Sequence, residues 1–452
     1  VALQIHAIAQ DKYLGQDLSR HAIRIIDSSQ DPLKALFKQY TYGSPSTIYH
    51  WVGGRLLNIA GPYHCLPALA WVSFFLNLLS LLACWFLIVK IINSFPLRLA
   101  CLLFIAFLPA LVVPATVIAA DALTIPAFMA SLWLCKAIFD RREKKGFYFL
   151  LAVNGLWLIL AANIKFTFAA LIPASALFWG IFFFKKAVSL KRFIAILLLV
   201  VILPGGVIFA QYQRYLKDQF PSLGKKNVDI FHRADMTVGS LLGVKLTDLE
   251  LFSAPYFHQA TVPSSPLESK RQKILENNYY SYPGLMHLAL YTDIMSIYQR
   301  TDPAVATYTS ENPDEYYNRY RTPWHQGLME IAVKSGLVLT LSFIILFPIA
   351  LFRIFRPNAA ISLEHNACLM TLFLFATAYY LVILTHMPWI DQSYAQGYWL
   401  PRLILPVIMA YALIYFWIID QLCEGKSAAW GKGILAVVLL QSIIHYLFLF
   451  PF

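Results

Sequence analysis

Apolar residues in this chain come in long blocks, not in the two-residue alternation of a strand or the one-sided stripe of a soluble helix. Blocks at about 66–90, 98–118, 121–139, 147–162, 168–184 and 193–211 precede a polar stretch from about 212 to 326. Further blocks follow at about 329–352, 367–386, 403–421 and 434–450. A hydrocarbon core of roughly 30 Å is crossed by about 17–25 helical residues. Inside it every backbone amide must be satisfied within the protein, which leaves helices or closed barrels. The pattern predicts an all-α polytopic bundle of about 10 transmembrane helices. Residues 1–62 are mixed and polar, with short amphipathic stretches from Ser19 to Ile26 and from Leu33 to Phe37. The predicted organisation is a first outer loop with amphipathic helices (1–62), a transmembrane bundle (63–211), an outer loop domain (212–326) and C-terminal transmembrane helices (327–452). No soluble-type internal repeat interrupts this order.

Composition agrees with the pattern. Of the 452 residues, 59% are hydrophobic and 13% charged, with a mean hydropathy of +0.60; soluble domains sit nearer ~45–50% apolar and ~25% charged. The net charge of +12 raises the question of nucleic acid, but the cations cluster between spans and therefore read as topology. Lys90 and Arg98, then Arg141 to Lys145, then Lys185, Lys186, Lys191 and Arg192, then Arg353 and Arg356, then Lys426 and Lys432 fall in alternate short connections, which the positive-inside rule assigns to the cytoplasm. The intervening connections 114–120, 163–167 and 387–402 are poor in cations. That parity puts residues 1–62 and 212–326 outside. It also leads us to expect a further span ahead of Val1, about eleven in all. The six cysteines form no CxxC pair and suggest neither a disulfide framework nor a zinc site.

By the same parity, ionisable and aromatic groups collect on the outer face: Asp17, His21, Asp121, Lys165, Asp293, Asp391 and Arg402. Each has an ordinary alternative reading as an interfacial anchor. Their order, however, resembles a known family. Gly15-Gln16-Asp17-Leu18-Ser19-Arg20-His21 opens the first outer segment with an acid, and Tyr40-Thr41-Tyr42-Gly43-Ser44-Pro45 leads into the next span. The second outer connection reads Leu108-Pro109-Ala110-Leu111-Val112-Val113-Pro114, then Ala120-Asp121-Ala122-Leu123. A later span ends in Asn163-Ile164-Lys165-Phe166-Thr167, and a late loop reads Gln396-Gly397-Tyr398-Trp399-Leu400-Pro401-Arg402. This series resembles the C-type (GT-C) integral membrane glycosyltransferases that use polyprenyl-phosphate sugars, the class of protein O-mannosyltransferases and aminoarabinose transferases. Leu18 follows Asp17 where that family often has Glu, and Asn163 stands where Thr is common.

The resemblance implies a GT-C fold and an inverting transfer of a sugar from a polyprenyl-phosphate donor to an acceptor hydroxyl. The acceptor would be a glycan, a lipid or a protein. The setting it implies is a bacterial inner membrane, with the active site facing the periplasm. Asp17 is the candidate general base and Asp121 the second acid of the site. A positioned base typically contributes ~10²–10⁴-fold. Asp17 also reads as a helix N-cap. Lys165 and Arg402, at outer span ends, suit the charge that develops on the leaving phosphate, although snorkelling to the interface explains them equally. His21, four residues after Asp17, shares a helix face with it, and Tyr398 offers an aromatic face to a sugar or headgroup. No cofactor is required, because a lipid phosphate already leaves readily; His21 with two aspartates is the weak case for a divalent metal. No nucleic acid partner is expected, and the membrane lipid is itself a partner.

Two other classes compete. A transporter or flippase of a lipid-linked or polar solute predicts inverted repeats and charge near the midplane, whereas here the ionisable groups sit at span ends. A non-catalytic subunit of a membrane assembly predicts no cavity behind Asp17.

Overall fold

The computed structural model describes residues 48–108, 111, 123–219, 287, 290–291, 323–356, 361–386, 404–423 and 428–449. Among these the protein is helical, with no strand. In chain order the elements are α1 (Ile48–Ile91), α2 (Phe95–Phe107), α3 (Thr124–Asp140), α4 (Phe147–Ile164), a 3₁₀ turn (Phe166–Ala170), α5 (Leu171–Phe184), α6 (Leu190–Ile196), a π-helical segment (Leu197–Ile202), α7 (Leu203–Gln219), α8 (Pro323–Phe355), α9 (Leu363–His386), α10 (Leu405–Cys423) and α11 (Ala428–Leu449).

Seven stretches of helix among the described residues are long and apolar enough to cross a membrane: 71–91, 147–164, 166–184, 190–211, 331–355, 363–383 and 405–423. The other three expected spans overlap α2, α3 and α11, which fall short of that length among the described residues. Of these, α2 has 13 residues, α3 has 17, and the apolar part of α11 runs from Lys432 to Leu447. The surfaces are those of a protein in lipid. Trp71, Phe75, Leu79 and Phe86 of α1 are exposed, as are Phe149 and Leu156 of α4 and Leu341 and Ile345 of α8, while Asn154, Asp420, Gln441 and His445 are buried. Water would penalise that arrangement; hydrocarbon on the outside removes the penalty.

The chain falls into two compact units. Unit 1 comprises 1–87, 114–230 and 352–384, and unit 2 comprises 88–113, 231–351 and 385–452. In unit 1, α3 and α4 pack antiparallel across the short basic turn at 141–146. The indole of Trp157 donates to Ser131 Oγ at 2.9 Å and fixes their register. Helix α4 also lies against the π-helical segment. Pro204 supplies no N–H to the carbonyls behind it, so the helix widens there. A Cβ on Gly155 would sit 2.2 Å from the Leu199 carbonyl oxygen, so only glycine permits this approach.

One end of unit 1 gathers the basic turns. Arg142 reaches Glu364 at 3.4 Å, and Arg192 pairs with Glu143. The opposite end is tied by Asn163, whose amide donates to the Ile159 carbonyl at 2.8 Å and to Gln211 Oε1 at 3.2 Å. These are the two sets of ends that the charge pattern assigns to opposite faces.

Unit 2 is built around α10, which is buried along most of its length. It packs on α2 and α11, with Phe104 and Phe416 rings 5.9 Å apart. The start of α2 is held by a carboxylate from α10. Asp420, 2% exposed, accepts the Asn93 N–H at 2.7 Å and the Ser94 N–H at 3.0 Å. An anion at the positive end of a helix is stabilised by the unpaired amides there. Pro96 sits in the first turn, where a missing N–H costs nothing.

Candidate functional site

Of the residues singled out by sequence, Lys165 is described. Asp17, His21, Asp121, Tyr398 and Arg402 lie outside the described residues, as do Asp293 and Asp391. Lys165 stands where α4 stops. Its backbone is extended (φ −153°, ψ 125°), its N–H still donates to the Ala161 carbonyl at 3.0 Å, and its carbonyl accepts the Phe168 N–H at 2.9 Å. The residue therefore closes one helix and opens the 3₁₀ turn that leads into α5. Its side chain emerges half-buried at a break between two spans.

Three further groups belong to this end of unit 1. The bond between Trp157 and Ser131 fixes the level of the antiparallel pair, so Thr124, seven residues before Ser131, lies level with Ile164, seven residues after Trp157. Thr124 is wholly buried, and its hydroxyl has no hydrogen-bond partner among the described residues. The Thr167 hydroxyl, two residues after Lys165, is enclosed in the same way. Tyr379 of α9 packs on the neighbouring residues of both segments, its ring 5.3 Å from Phe168 and 6.5 Å from Phe128. A buried hydroxyl without a partner costs about 1–3 kcal/mol. Thr167 follows Lys165 by two residues, and Thr124 lies at the level of the helix end that precedes it.

A second polar cluster, in unit 2, was not singled out by sequence. The segment containing His287 and Tyr291 packs on α8. One His287 ring nitrogen, Nε2, is 3.1 Å from the Val333 carbonyl, and the other, Nδ1, is 2.9 Å from Thr340 Oγ1. Burial lowers the pKa of this imidazole to about 4, against the opposing pull of the Val333 carbonyl. The neutral ring therefore donates from Nε2 to that carbonyl and accepts from the threonine at Nδ1. The Tyr291 ring lies flat against Gly336, where a Cβ would come within 2.6 Å of it. Behind it, Gln441 of α11 donates to the Ala332 carbonyl at 2.8 Å, accepts from Ser335 Oγ, and stands 3.0 Å from His445 Nε2. The signal in the sequence is a pair of polar residues four apart, which share one helix face: His287 with Tyr291, and Gln441 with His445.

Among the described residues no group of three or more His, Cys, Asp or Glu side chains is placed to hold a metal ion. No family model, curated protein or solved structure matches this chain, so a functional reading has only its residues and its fold to stand on.

Proposed function

We propose that this protein is a membrane glycosyltransferase of the GT-C type, with ten spans in this chain, that transfers a sugar from a polyprenyl-phosphate donor to an acceptor hydroxyl at the outer face of the membrane. The observation that carries the reading is the Lys165 end of unit 1. There a half-buried cation at a helix break lies at the level of two enclosed, unpartnered hydroxyls. The series of sequence motifs around Asp17, Asp121, Lys165, Tyr398 and Arg402 supports it. In the proposed reaction Asp17 takes the proton of the acceptor hydroxyl as its oxygen attacks the anomeric carbon. The bond between that carbon and the phosphate oxygen breaks, and Lys165 and Arg402 meet the charge left on the polyprenyl phosphate. Asp121, three residues ahead of Thr124 in sequence, orients the acceptor; His21 and Tyr398 flank the sugar.

The test is donor binding and single-turnover transfer by purified protein in nanodiscs, using a radiolabelled polyprenyl-phosphate hexose. Lys165→Ala is expected to weaken donor binding and Lys165→Arg to restore part of it, because Ala removes the cation and Arg keeps one in a different geometry. Unaltered donor binding in Lys165→Ala together with Arg402→Ala would remove the phosphate site.

One observation favours a second reading, a flippase or transporter of a lipid-linked or polar solute. The buried Gln441 and His445 of unit 2 are the kind of intramembrane polar residues that line solute pathways. Transport of a fluorescent lipid-phosphate analogue across proteoliposomes, abolished by Gln441→Leu and indifferent to Asp17→Asn, would decide for it.

A further inference from the structure

The basic end of unit 1 carries a groove that the proposed transfer reaction does not use. It is a cavity of about 530 Å³ lined by Glu143, Phe183, Phe184, Lys186, Ser189 and Arg192, among others. It lies between the end of α5 and the start of α6. We infer that this groove binds the phosphate headgroup of an anionic phospholipid, with the acyl chains lying on the apolar surface beside it.

Three independent features support the site. The first is charge. Arg192 and Glu143 neutralise one another across the groove, and Arg192 also lies over the Phe147 ring at 5.9 Å. Lys186, exposed on the same wall, has no carboxylate partner among the described residues, so the groove as a whole carries one uncompensated positive charge.

The second is backbone conformation. Helix α5 ends in a double turn: the Ala187 N–H donates to the Phe182 carbonyl at 2.9 Å and the Lys186 N–H to the Phe183 carbonyl at 2.9 Å. This closure places Lys186 in the left-handed region, at φ 59°, a position usually filled by glycine. Non-glycine residues held there cluster at ligand sites.

The third is the adjoining surface. Phe184 is 83% exposed, and Leu190, Ile194 and Leu198, spaced four apart, are exposed along one line that starts at the groove and runs up the span 190–211. A free phosphate has no use for that line, whereas a phospholipid places its headgroup at the groove and its chains along it. The Phe183 and Phe193 rings, stacked 4.5 Å apart, brace the two walls. Ser189, whose hydroxyl makes no capping bond to its own helix, adds a donor at the rim.

The test is native mass spectrometry of the full chain released from nanodiscs of mixed phosphatidylcholine and phosphatidylglycerol. Wild-type protein is expected to retain phosphatidylglycerol in preference to phosphatidylcholine. Lys186→Gly keeps the left-handed turn and removes the cation; it is expected to lower that retention about fivefold, the weight of one lysine near an anionic surface. Lys186→Arg is expected to retain the lipid. Lys145→Gly removes a cation from the neighbouring turn outside the groove and is expected to change nothing. An equal loss in Lys186→Gly and Lys145→Gly would mean diffuse surface charge and overturn the site. Competition by glycerol 3-phosphate as effective as that by intact lipid would overturn the assignment to a phospholipid.

Discussion

At the Lys165 end of unit 1, the Thr124 and Thr167 hydroxyls are enclosed with no partner among the described residues, whereas in the His287 and His445 cluster of unit 2 the polar side chains are bonded to one another or to backbone carbonyls. Both clusters hold neutral donors and acceptors. The difference is in what completes them. A saturated network fixes helices against one another and asks nothing of a ligand. An unsaturated one carries a standing cost of about 1–3 kcal/mol per group, which a bound ligand would relieve. Under the proposed function, binding belongs to unit 1 and architecture to unit 2, and each of the following experiments can break that division.

The largest effect is expected in the chemistry. Asp17→Asn should leave folding and donor binding intact and lower transfer by about 10²-fold or more, the usual contribution of a positioned base. Asp121→Asn should cost less if that residue orients the acceptor. Full single-turnover transfer by Asp17→Asn would move the base to another acid. Next comes Gln441→Ala. Removing its amide takes one donor from the Ala332 carbonyl and the partner of His445 Nε2, while Ser335 keeps its bond to the Ile331 carbonyl, so thermal stability should fall by about 1 kcal/mol while donor affinity stays unchanged. Loss of donor binding without loss of stability would place the ligand in unit 2 and favour the transporter reading.

A paired substitution sharpens the contrast. Thr124→Val deletes a buried hydroxyl that has no partner and keeps the shape of the side chain, so the ligand-free protein should gain about 1 kcal/mol and bind donor more weakly. Thr340→Val deletes a hydroxyl that donates to His287 and should lose about 1–2 kcal/mol without any effect on donor. Opposite signs in a chemical or thermal unfolding series are the expected result. The same sign at both positions would show that the Thr124 hydroxyl is already satisfied in the membrane.

The helical architecture was legible because a membrane span needs one thing, apolar length, and the chain supplies it in blocks whose cation-bearing connections alternate. The structure brings the connections at 141–146 and 185–192 and the start of α9 to one end of unit 1 through Arg142 with Glu364 and Arg192 with Glu143. Lys165 was legible for the same reason, as a cation where a block ends. The cluster in unit 2 was not. Gln441 and His445 lie inside an apolar block, and His287 and Tyr291 lie in a polar stretch between blocks, so neither pair changes the hydropathy pattern that locates spans. What joins them is tertiary: the flat approach of Tyr291 to Gly336. Gly155 was likewise invisible, since the carbonyl it admits is exposed by a π-helical widening more than forty residues away. Asp420 reads in sequence as an acid at the end of a span, and only the fold shows it closing the start of α2.

The smallest expected effect concerns the two turns at the basic end of unit 1, which meet the same conformational demand with different residues. Gly146, before α4, has φ 93°, and Lys186, after α5, has φ 59°. A glycine adopts such angles freely, whereas a side chain with a Cβ pays roughly 1–2 kcal/mol in the left-handed region. Gly146→Ala should therefore destabilise unit 1 by about 1 kcal/mol, since open space around its Cβ leaves backbone strain as the main cost. Lys186→Gly should do the reverse, but by less. Relief of strain is offset by the greater freedom of glycine in the unfolded chain, worth about 0.4–1 kcal/mol, so a net gain near 0.5 kcal/mol is expected. A shift of the unfolding midpoint upward by a degree or two in phosphatidylcholine alone would register it. In membranes containing phosphatidylglycerol the sign should invert, because the wild-type lysine then gains a bound anion that glycine cannot hold. A gain of the same size in both membranes would mean that the lysine at position 186 contributes nothing to lipid binding.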